Sequence, residues 1–295
     1  PISGLSNIVG ADHIPIDGNL QPLPYDSYGA DLEGIAIDAD DGSFWLCDEY
    51  RPSIYHVNSA GILISRFIPD GTGVLGGQSA GFYGQETLPA VYGKRAKNRG
   101  FEAIAIDQEA NIVYAFIQSP LQNPSSAVGS SSSVIRILGI QTSNGAPVSE
   151  YVYLLEKPTH SKSVVDKIGD AHYKGNGKFL VVERDSSLND TTGKKYIFEI
   201  DLKGATNILG TPISTLMVGA TLESMTAGLL KTNGITPVYK EKLVNLPSIG
   251  YLASDKVEGI TMLDDGRIAI LNDNDFGISN NFKYDKKLVP CTLGI

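Results

Sequence analysis

The sequence predicts an all-β protein and, within that class, a β-propeller. Three observations support this prediction. Short runs of β-branched and aromatic residues recur along the chain, and turn-forming residues bound each run. Tight turns rich in Gly, Asn and Asp, such as residues 40–42 and 175–177, separate several pairs of runs. The hairpins that result resemble one another, which indicates a repeated architecture.

The runs define the predicted strands. The clearest are residues 34–38, 43–47, 62–67, 112–117 and 266–271. Few segments sustain a helical period, although residues 88–95 predict a short helix. Residues 120–133, with four consecutive serines, predict a surface loop.

One hairpin unit recurs four times. Each copy has an acidic residue near the start of its first strand, then a turn, and then a second strand that ends in polar residues; the first acids are Glu33, Glu102, Asp170 and Glu258. Radial blades with variable insertions account for the uneven spacing. Six blades of about 49 residues each match the usual blade size, with five and seven as the alternatives. We therefore expect residues 1–295 to form one propeller domain.

Composition excludes several classes of protein. A chain of 295 residues that is 42% apolar can bury a substantial core, and it is too apolar to be disordered. No apolar stretch approaches the roughly 18 residues of a membrane-spanning helix. A net charge of -9 argues against a nucleic-acid partner. It favours cations, or anionic substrates bound through cations, and we expect a monomer.

The two cysteines, Cys47 and Cys291, are too few for a disulfide-dense scaffold or a cysteine-rich zinc site. They form either one bridge or two separate thiols, and the sequence leaves both alternatives open.

The hairpins also predict a metal site. The start of one antiparallel strand and the end of the next lie at the same edge of a sheet, which places Glu33 near Asp48 and Glu49. Clustered carboxylates repel one another unless a cation lies between them, and ligand sets made only of oxygen favour Ca²⁺ over zinc or copper. The predicted calcium ligands, gathered at one mouth of the propeller channel, are Glu33, Asp48, Glu49, Glu102, Asp170, Glu183, Glu258 and Asp273.

The chain resembles the bacterial "esterase-like activity of phytase" (phytase-like) domain family. The matching pieces follow the family's order over about residues 31–277. They are DLEG at 31–34, FWLCDEYRPSIYH at 44–56, NRGFEAIA at 98–105, VIR at 134–136, EYVY at 150–153, KIGD at 167–170, VVERD at 181–185, KVEGI at 256–260 and NDNDFG at 272–277. Two departures fall in the second copy, where Ala103 replaces the usual Gly and Gln118 ends the hairpin without an acid.

The resemblance implies a propeller-like fold and an exported bacterial protein, secreted or periplasmic, from which a signal peptide has been removed. It also implies hydrolysis of phosphoesters such as phytate, so a small phosphorylated substrate is expected. Calcium would neutralise phosphate oxygens and lower the pKa of a bound water, which then acts as the nucleophile. The catalytic group predicted for this reaction is Glu33, Asp48, Glu49 and Glu102.

Arginines are the predicted phosphate ligands, because the guanidinium group matches phosphate geometry. Arg51 and Arg184 each lie beside predicted metal ligands in the sequence. A structural network of arginines and carboxylates is the alternative. The basic run at residues 94–99 is a further candidate for anion docking near Glu102, with an exposed charged surface as its alternative.

Two other functions remain open. A non-catalytic, calcium-stabilised binding or scaffold propeller would use the same acids structurally. A serine esterase would use Ser79, which lies in a GxSxG pattern at residues 77–81. That chemistry needs a strand-to-helix turn in an α/β sheet, and no alternation of strands and helices surrounds Ser79.

Overall fold

Antiparallel β-sheets dominate the structure, a computed structural model that describes residues 2–17, 19–156, 164–187, 190–215, 220–252, 256–273 and 293–294. The described residues form four sheets of three to five strands, with a few short helices between them. This confirms the predicted all-β class. No helix in these ranges is both long and apolar enough to cross a bilayer.

The first sheet has five strands in chain order. They are β1 (Leu32–Ile37), β2 (Phe44–Asp48), β3 (Ser53–Val57), β4 (Leu63–Pro69) and β5 (Gln85–Leu88). The first four pair antiparallel, whereas β5 pairs parallel to β4. A 3-10 helix at Ala90–Lys94 follows Pro89 and confirms the short helix predicted for residues 88–95.

The second sheet is a four-stranded antiparallel meander. Its strands are β6 (Phe101–Asp107), β7 (Ile112–Ile117), β8 (Val134–Gln141) and β9 (Pro147–Leu154). Between β7 and β8 lies helix α1 (Ser126–Ser131), which begins where the Ser125 side chain accepts a hydrogen bond from the Val128 N–H. The predicted surface loop is confirmed in part, since residues 124–127 and 130–131 are exposed, but the segment contains a short helix and Leu121 and Asn123 are fully buried.

Two further sheets follow. The third contains β10 (Lys167–Gly175), β11 (Lys178–Arg184), β12 (Lys195–Asp201) and β13 (Tyr239–Asn245), and the fourth contains β14 (Lys256–Met262), β15 (Ile268–Asp273) and β16 (Leu293–Gly294). The remaining short helices are α2 (Pro212–Thr215), α3 (Ala227–Thr232) and 3-10 turns at Leu222–Ser224 and Leu246–Ile249.

Each sheet begins with one of the four hairpin copies predicted from the sequence. The turns have the predicted chemistry, since Gly42 (φ 72°) and Asn176 (φ 55°) adopt the left-handed backbone that tight hairpins need. Closure into a propeller and the number of blades stay predictions.

The chain divides into two compact units. Unit 1 comprises residues 1–154 and 205–237, and unit 2 comprises residues 155–204 and 238–295. In unit 1, Ile208, Leu222 and Leu230 of the second segment pack on Val134 and Val152 in the second sheet. The assignment of residues 1–295 to one domain stays a prediction.

Unit 2 has a core of its own. Buried aliphatic side chains from four strands pack together in it, and they include Leu180, Ile197, Val257 and Ile270. Burying each such side chain contributes about 1.5–3 kcal/mol, so this core stabilises the strand ends that carry the acids of unit 2.

Candidate functional site

A β-bulge lies near the start of the first strand of unit 1. Leu32 pairs with Asp48, whereas Ile35 pairs with Leu46, so two residues of β1 face one residue of β2. A bulge bends its strand and redirects the side chains at that point. Glu33 lies within this bulge.

The second sheet repeats the bulge. Phe101 pairs with Ile117, and Ala103 pairs with Phe116, which leaves Glu102 as the extra residue. The first acid of both predicted copies in unit 1 is therefore a bulge residue.

Gly34 brings these two bulges close together. A Cβ atom at this position would lie 2.7 Å from the backbone nitrogen of Ile104 in β6, and 3.0 Å from the Sγ of Cys47. The Gly34 N–H donates a hydrogen bond to the same sulfur at 3.3 Å. Only glycine allows β1 to approach β6 at this distance, and this approach brings Glu33 towards Glu102.

Four carboxylates of unit 1 gather at this point, and we call them the acidic cluster: Asp31, Glu33, Glu49 and Glu102. Oxygens of Asp31, Glu33 and Glu49 lie within 4.8 Å of one another, and an oxygen of Glu33 lies within 4.8 Å of one from Glu102. Asp31 and Glu33 are half-buried, while Glu49 and Glu102 are 4% and 1% exposed. Like charges in partial burial repel, so a cation stabilises such a cluster.

A basic segment contacts the cluster through Glu49. The Arg99 guanidinium donates a hydrogen bond to Oε1 of Glu49 at 2.9 Å, and the Asn98 amide donates one to Oε2 at 2.7 Å. The Arg99 side chain is 36% exposed, so it also faces solvent. Gly100 follows, and its N–H donates a hydrogen bond to the Glu49 carbonyl at 2.8 Å.

At the end of its own hairpin, Glu102 has an amide neighbour, Gln118. The Gln118 side chain donates a hydrogen bond to its carboxylate. In the sequence, Gln118 is the residue at which the second copy lacks the acid that ends the other hairpins. In the structure, this amide contacts Glu102.

Asp48 lies apart from the grouped oxygens, although it was predicted as a ligand and catalytic residue. Its carboxylate is fully buried and accepts hydrogen bonds from the N–H groups of Asp31 and Tyr50, both at 3.0 Å, and from the Tyr55 hydroxyl at 3.3 Å. Burial raises the pKa of Asp48 to about 7 despite these donors. The contacts favour a structural role in the turn that follows β2.

Arg51, predicted to bind phosphate, is 1% exposed. Its guanidinium donates hydrogen bonds to the carbonyls of Thr72 at 2.7 Å and Leu75 at 3.0 Å, and it lies over the Tyr83 ring at 3.8 Å. These contacts tie the loop between β4 and β5 to the first sheet. They favour the structural alternative for this residue.

The bulge recurs in both sheets of unit 2. In β14, Val257 pairs with Asn272 and Gly259 with Leu271, so Glu258 is the extra residue. In the third sheet, the extra residue of the bulge is a glycine instead of an acid.

In β10, Ile168 pairs with Glu183 and Asp170 with Val182, which makes Gly169 the extra residue. A side chain at Gly169 would overlap the carbonyl oxygen of Val257. The sequence alignment of Asp170 with the bulge glutamates was therefore one residue out of register.

Asp170 is held by its neighbouring strand. Its Oδ2 accepts a hydrogen bond from the Ile260 N–H at 2.8 Å. Burial raises the pKa of Asp170 to about 7, and the nearby charge of Glu258 adds to the increase. Asp273, at the end of β15, pairs with Lys256 at 3.1 Å.

The other predicted residues of unit 2 form ion pairs. Arg184 pairs with Glu258, and Lys240 pairs with Glu183. Glu183 also accepts a hydrogen bond from the Glu156 N–H at 2.9 Å. Glu183 and Glu258 therefore each have a cationic neighbour within unit 2.

Ser79 is exposed in the loop between β4 and β5. Gly77 and Gly81 on either side have positive φ, and no helix begins at this position. In the part of the chain that the structure describes, no side chain forms a hydrogen bond with the Ser79 hydroxyl. Cys291 and residues 274–277 lie outside the described residues, so the pairing of Cys47 with Cys291 stays open.

The sequence of this chain matches the model of a known protein family. The model named phytase-like, with the description "esterase-like activity of phytase", matches residues 4–276, nearly the whole chain. The chain belongs to the phytase-like family. This confirms the resemblance predicted from the sequence, and the match includes every residue of the acidic cluster.

A curated relative of this phytase-like chain is an uncharacterized secreted protein of Arthroderma benhamiae. The two are 27% identical over 184 residues, which is 53% of this chain and 34% of the relative. The chain therefore aligns with about a third of the relative's length.

Solved structures give only weak similarities. A protein of unknown function from Bacteroides caccae is 9% identical, with a TM-score of 0.39 over 98% of this chain and 71% of that one. The Cps50 (Swd1) β-propeller domain of Myceliophteria thermophila is 6% identical, with a TM-score of 0.34 over 90% of this chain and 70% of that one. Scores at this level do not establish a shared fold.

Sequence reasoning missed two features of the candidate site. Asp31 shares a motif with Glu33, and their spacing of two residues was a usable signal for a second ligand. Asn98 and Arg99 lay within the basic run proposed for anion docking, but their contact with Glu49 spans about fifty residues of sequence. No local pattern reports a contact over that distance.

Proposed function

We propose that this chain is a metal-dependent phosphoric ester hydrolase centred on the acidic cluster of unit 1. The observation that carries the proposal is the approach of Asp31, Glu33 and Glu49 to within 4.8 Å of one another. Membership of the phytase-like family supports hydrolysis of a small phosphorylated substrate.

Calcium is the cation that we propose for this site. Every potential ligand in the acidic cluster is a carboxylate oxygen, the donor that Ca²⁺ prefers, and the cluster contains no thiol or imidazole. Asp31, Glu33 and Glu49 would hold the ion, with Glu102 beside them. Bound calcium supplies positive charge to phosphate oxygens and lowers the pKa of water.

Arg99 is the residue that we propose for binding phosphate, in place of Arg51. Glu49 and Asn98 belong to one hydrogen-bonded group with Arg99, so the guanidinium is oriented while part of it faces solvent. A fixed guanidinium binds a phosphate oxygen pair with little loss of side-chain entropy. Arg51 instead is committed to backbone carbonyls.

The test is hydrolysis of a phosphoester panel by the full chain, with calcium and with EGTA. We expect turnover that EGTA abolishes and a Glu33→Gln variant that loses at least about 100-fold in kcat/KM, the range that a group stabilising transition-state charge supplies. Glu109→Gln is the matched control, because Glu109 is exposed in the turn after β6. Turnover that persists in EGTA or in the Glu33→Gln variant would contradict the proposal.

A second candidate is a non-catalytic, calcium-stabilised binding or scaffold propeller. The structural contacts of Asp48 and Arg51 favour it, because two of the residues predicted to act on substrate serve the fold. This candidate predicts that calcium raises the melting temperature with no turnover of any phosphoester in the panel. Turnover dependent on Glu33 excludes it.

We also propose that the protein is exported, secreted or periplasmic, and monomeric. The description of the Arthroderma benhamiae relative as secreted supports export. Size-exclusion chromatography of the purified chain, with mass detection, tests the monomer.

A further inference from the structure

A cavity lies in unit 1, at the opposite end of the first sheet from the acidic cluster. Glu33 is near the start of β1, whereas Asp38 follows the end of that strand and lines the cavity. The cavity has a volume of about 550 Å³, within the range of small-molecule sites. The proposed hydrolytic site does not use it.

Aromatic rings form one wall of this cavity. The His56 ring lines it and stacks on Trp45, with 4.2 Å between ring centroids and 4° between planes. Phe67 also lines it and lies 6.2 Å from Trp45, centroid to centroid. Trp45 and Phe67 are buried, and the Ser43 hydroxyl lies 2.9 Å from Nε2 of His56, so the wall is rigid. Phe67 is 3% exposed, so the half-buried His56 ring supplies most of the aromatic surface that a ligand can reach.

Two carboxylates line the same cavity. Asp38 is 9% exposed. Its Oδ1 accepts hydrogen bonds from the Gln108 amide and from the Asp40 N–H, both at 3.1 Å. Its Oδ2 accepts no hydrogen bond from the described residues. Asp41 lies nearby, and hydrogen bonds from Ser43 lower its pKa, which keeps it ionised at neutral pH.

Among the residues that the structure describes, these carboxylates have no lysine or arginine partner. None of the residues that line the cavity is a lysine or arginine, and within the described ranges neither Asp38 nor Asp41 forms an ion pair. Burial lowers the pKa of His56, so the imidazole is neutral at pH 7. Carboxylates in a partly enclosed site are stabilised by a partner of opposite charge.

We propose that this cavity binds a small organic cation, with its ammonium group beside Asp38 and Asp41 and its apolar body on the His56 ring. The two carboxylates exclude an anionic ligand by repulsion. Aromatic faces next to carboxylates favour a cation with an apolar body, because ring quadrupoles attract positive charge and the rings cover apolar surface. The side-chain amide oxygens of Gln85 and Asn144, which also line the cavity, can accept the remaining ammonium hydrogens.

Calorimetric titration of the full chain with four probes tests this proposal. Tryptamine supplies an ammonium group on an aromatic body, tryptophol and indole-3-acetate are its neutral and anionic analogues, and methyl α-glucopyranoside represents a neutral polyol. We expect tryptamine to bind, and tryptophol to bind at least about 10-fold more weakly, which is a loss of about 1.4 kcal/mol. Indole-3-acetate and the glucoside should give no saturable binding.

Three isosteric variants locate the site. Asp38→Asn and Asp41→Asn should each weaken tryptamine binding about 10-fold. Asp40→Asn removes the same charge from the same turn at a residue that does not line the cavity, and it should change affinity less than about 2-fold. Melting temperatures verify that the variants fold, and shifts of the His56 imidazole NMR signals in the unmodified chain provide a second readout.

Several results would overturn the proposal. They are the absence of tryptamine binding up to about 10 mM, equal affinity for tryptophol, or saturable binding of the glucoside. Unchanged affinity in Asp38→Asn and Asp41→Asn, or an equal loss in Asp40→Asn, would also exclude a specific cation site here.

Discussion

Asp48 is a buried carboxylate whose hydrogen bonds favour a structural role. Its side chain is fully enclosed and accepts hydrogen bonds from the backbone of Asp31 and Tyr50. The first of these residues belongs to the acidic cluster. Asp48 therefore positions a proposed ligand without itself lying among the grouped oxygens.

The raised pKa of Asp48 predicts a pH dependence of stability. Its folded-state pKa of about 7 exceeds the ordinary value of 3.8, so the folded protein binds the proton more tightly than the unfolded chain does. The corresponding stabilisation is complete below about pH 4 and is lost as pH rises through 7. Each pKa unit corresponds to about 1.4 kcal/mol.

Asp48→Asn removes this titration and keeps an acceptor oxygen. We expect the free energy of unfolding of the unmodified chain to fall relative to that of the variant between pH 4 and pH 8. Urea unfolding at several pH values measures this difference. A constant difference over that range would contradict the burial argument.

Gly100 is the residue that allows the basic segment to reach Glu49. A Cβ here would lie 2.6 Å from the carbonyl oxygen of Asp48 and would also overlap that of Glu49. We expect Gly100→Ala to destabilise the fold by about 1–3 kcal/mol, the usual cost of overpacking. Gly4→Ala is the control, because nothing lies within 4 Å of a Cβ at Gly4. Equal melting temperatures for Gly100→Ala and Gly4→Ala would show that the close approach at Gly100 does not require glycine.

At the scale of elements, a buried ionic network joins residues 205–237 to the second sheet within unit 1. The Arg136 guanidinium pairs with Glu150 at 2.9 Å and with Glu223 at 2.6 Å, and all three side chains are fully buried. The Asn123 amide donates a further hydrogen bond to Glu223 at 2.9 Å. One strand residue thus orders a segment nearly ninety residues away in sequence.

Arg136→Met would leave two buried carboxylates without their counter-ion. We expect it to reduce the free energy of unfolding by about 3–5 kcal/mol, as measured by urea denaturation. The control, Arg267→Met, breaks an exposed pair with Asp265 and should cost about 0.5 kcal/mol or less. A loss below about 1 kcal/mol for Arg136→Met would show that the network does not hold this segment.

The strands were predictable because the runs of β-branched and aromatic residues and the turn-forming residues between them are features of short stretches of sequence. The predicted runs at 43–47 and 112–117 correspond to β2 and β7, and each hairpin copy opens a sheet. The bulges were not predictable, because an extra residue is defined only by the partner strand. That is why Asp170 was aligned with glutamates whose structural equivalent is Gly169.

At the scale of the whole molecule, part of the candidate site was predictable from the sequence. Recurrence at strand ends identified Glu33, Glu49 and Glu102, three of the four residues of the acidic cluster. Burial of Arg51 and the contact of Arg99 with Glu49 depend on loops between strands, whose paths no local pattern specifies. Family membership adds a reaction class but not these side-chain positions.

The acidic balance of the chain, with 33 acidic and 24 basic residues, raises the local concentration of cations around it. Among its carboxylates, the acidic cluster groups three oxygens within 4.8 Å. Cation binding there would relieve repulsion and link the first and second sheets of unit 1.

Calcium titration of the metal-free chain by calorimetry tests the central claim most directly. We predict saturable binding with a Kd of about 1 mM or tighter for the unmodified chain and for Glu109→Gln, and binding at least about 10-fold weaker for Glu33→Gln. Absence of saturable binding in the unmodified chain, or equal affinity in Glu33→Gln, would contradict a calcium site at the acidic cluster.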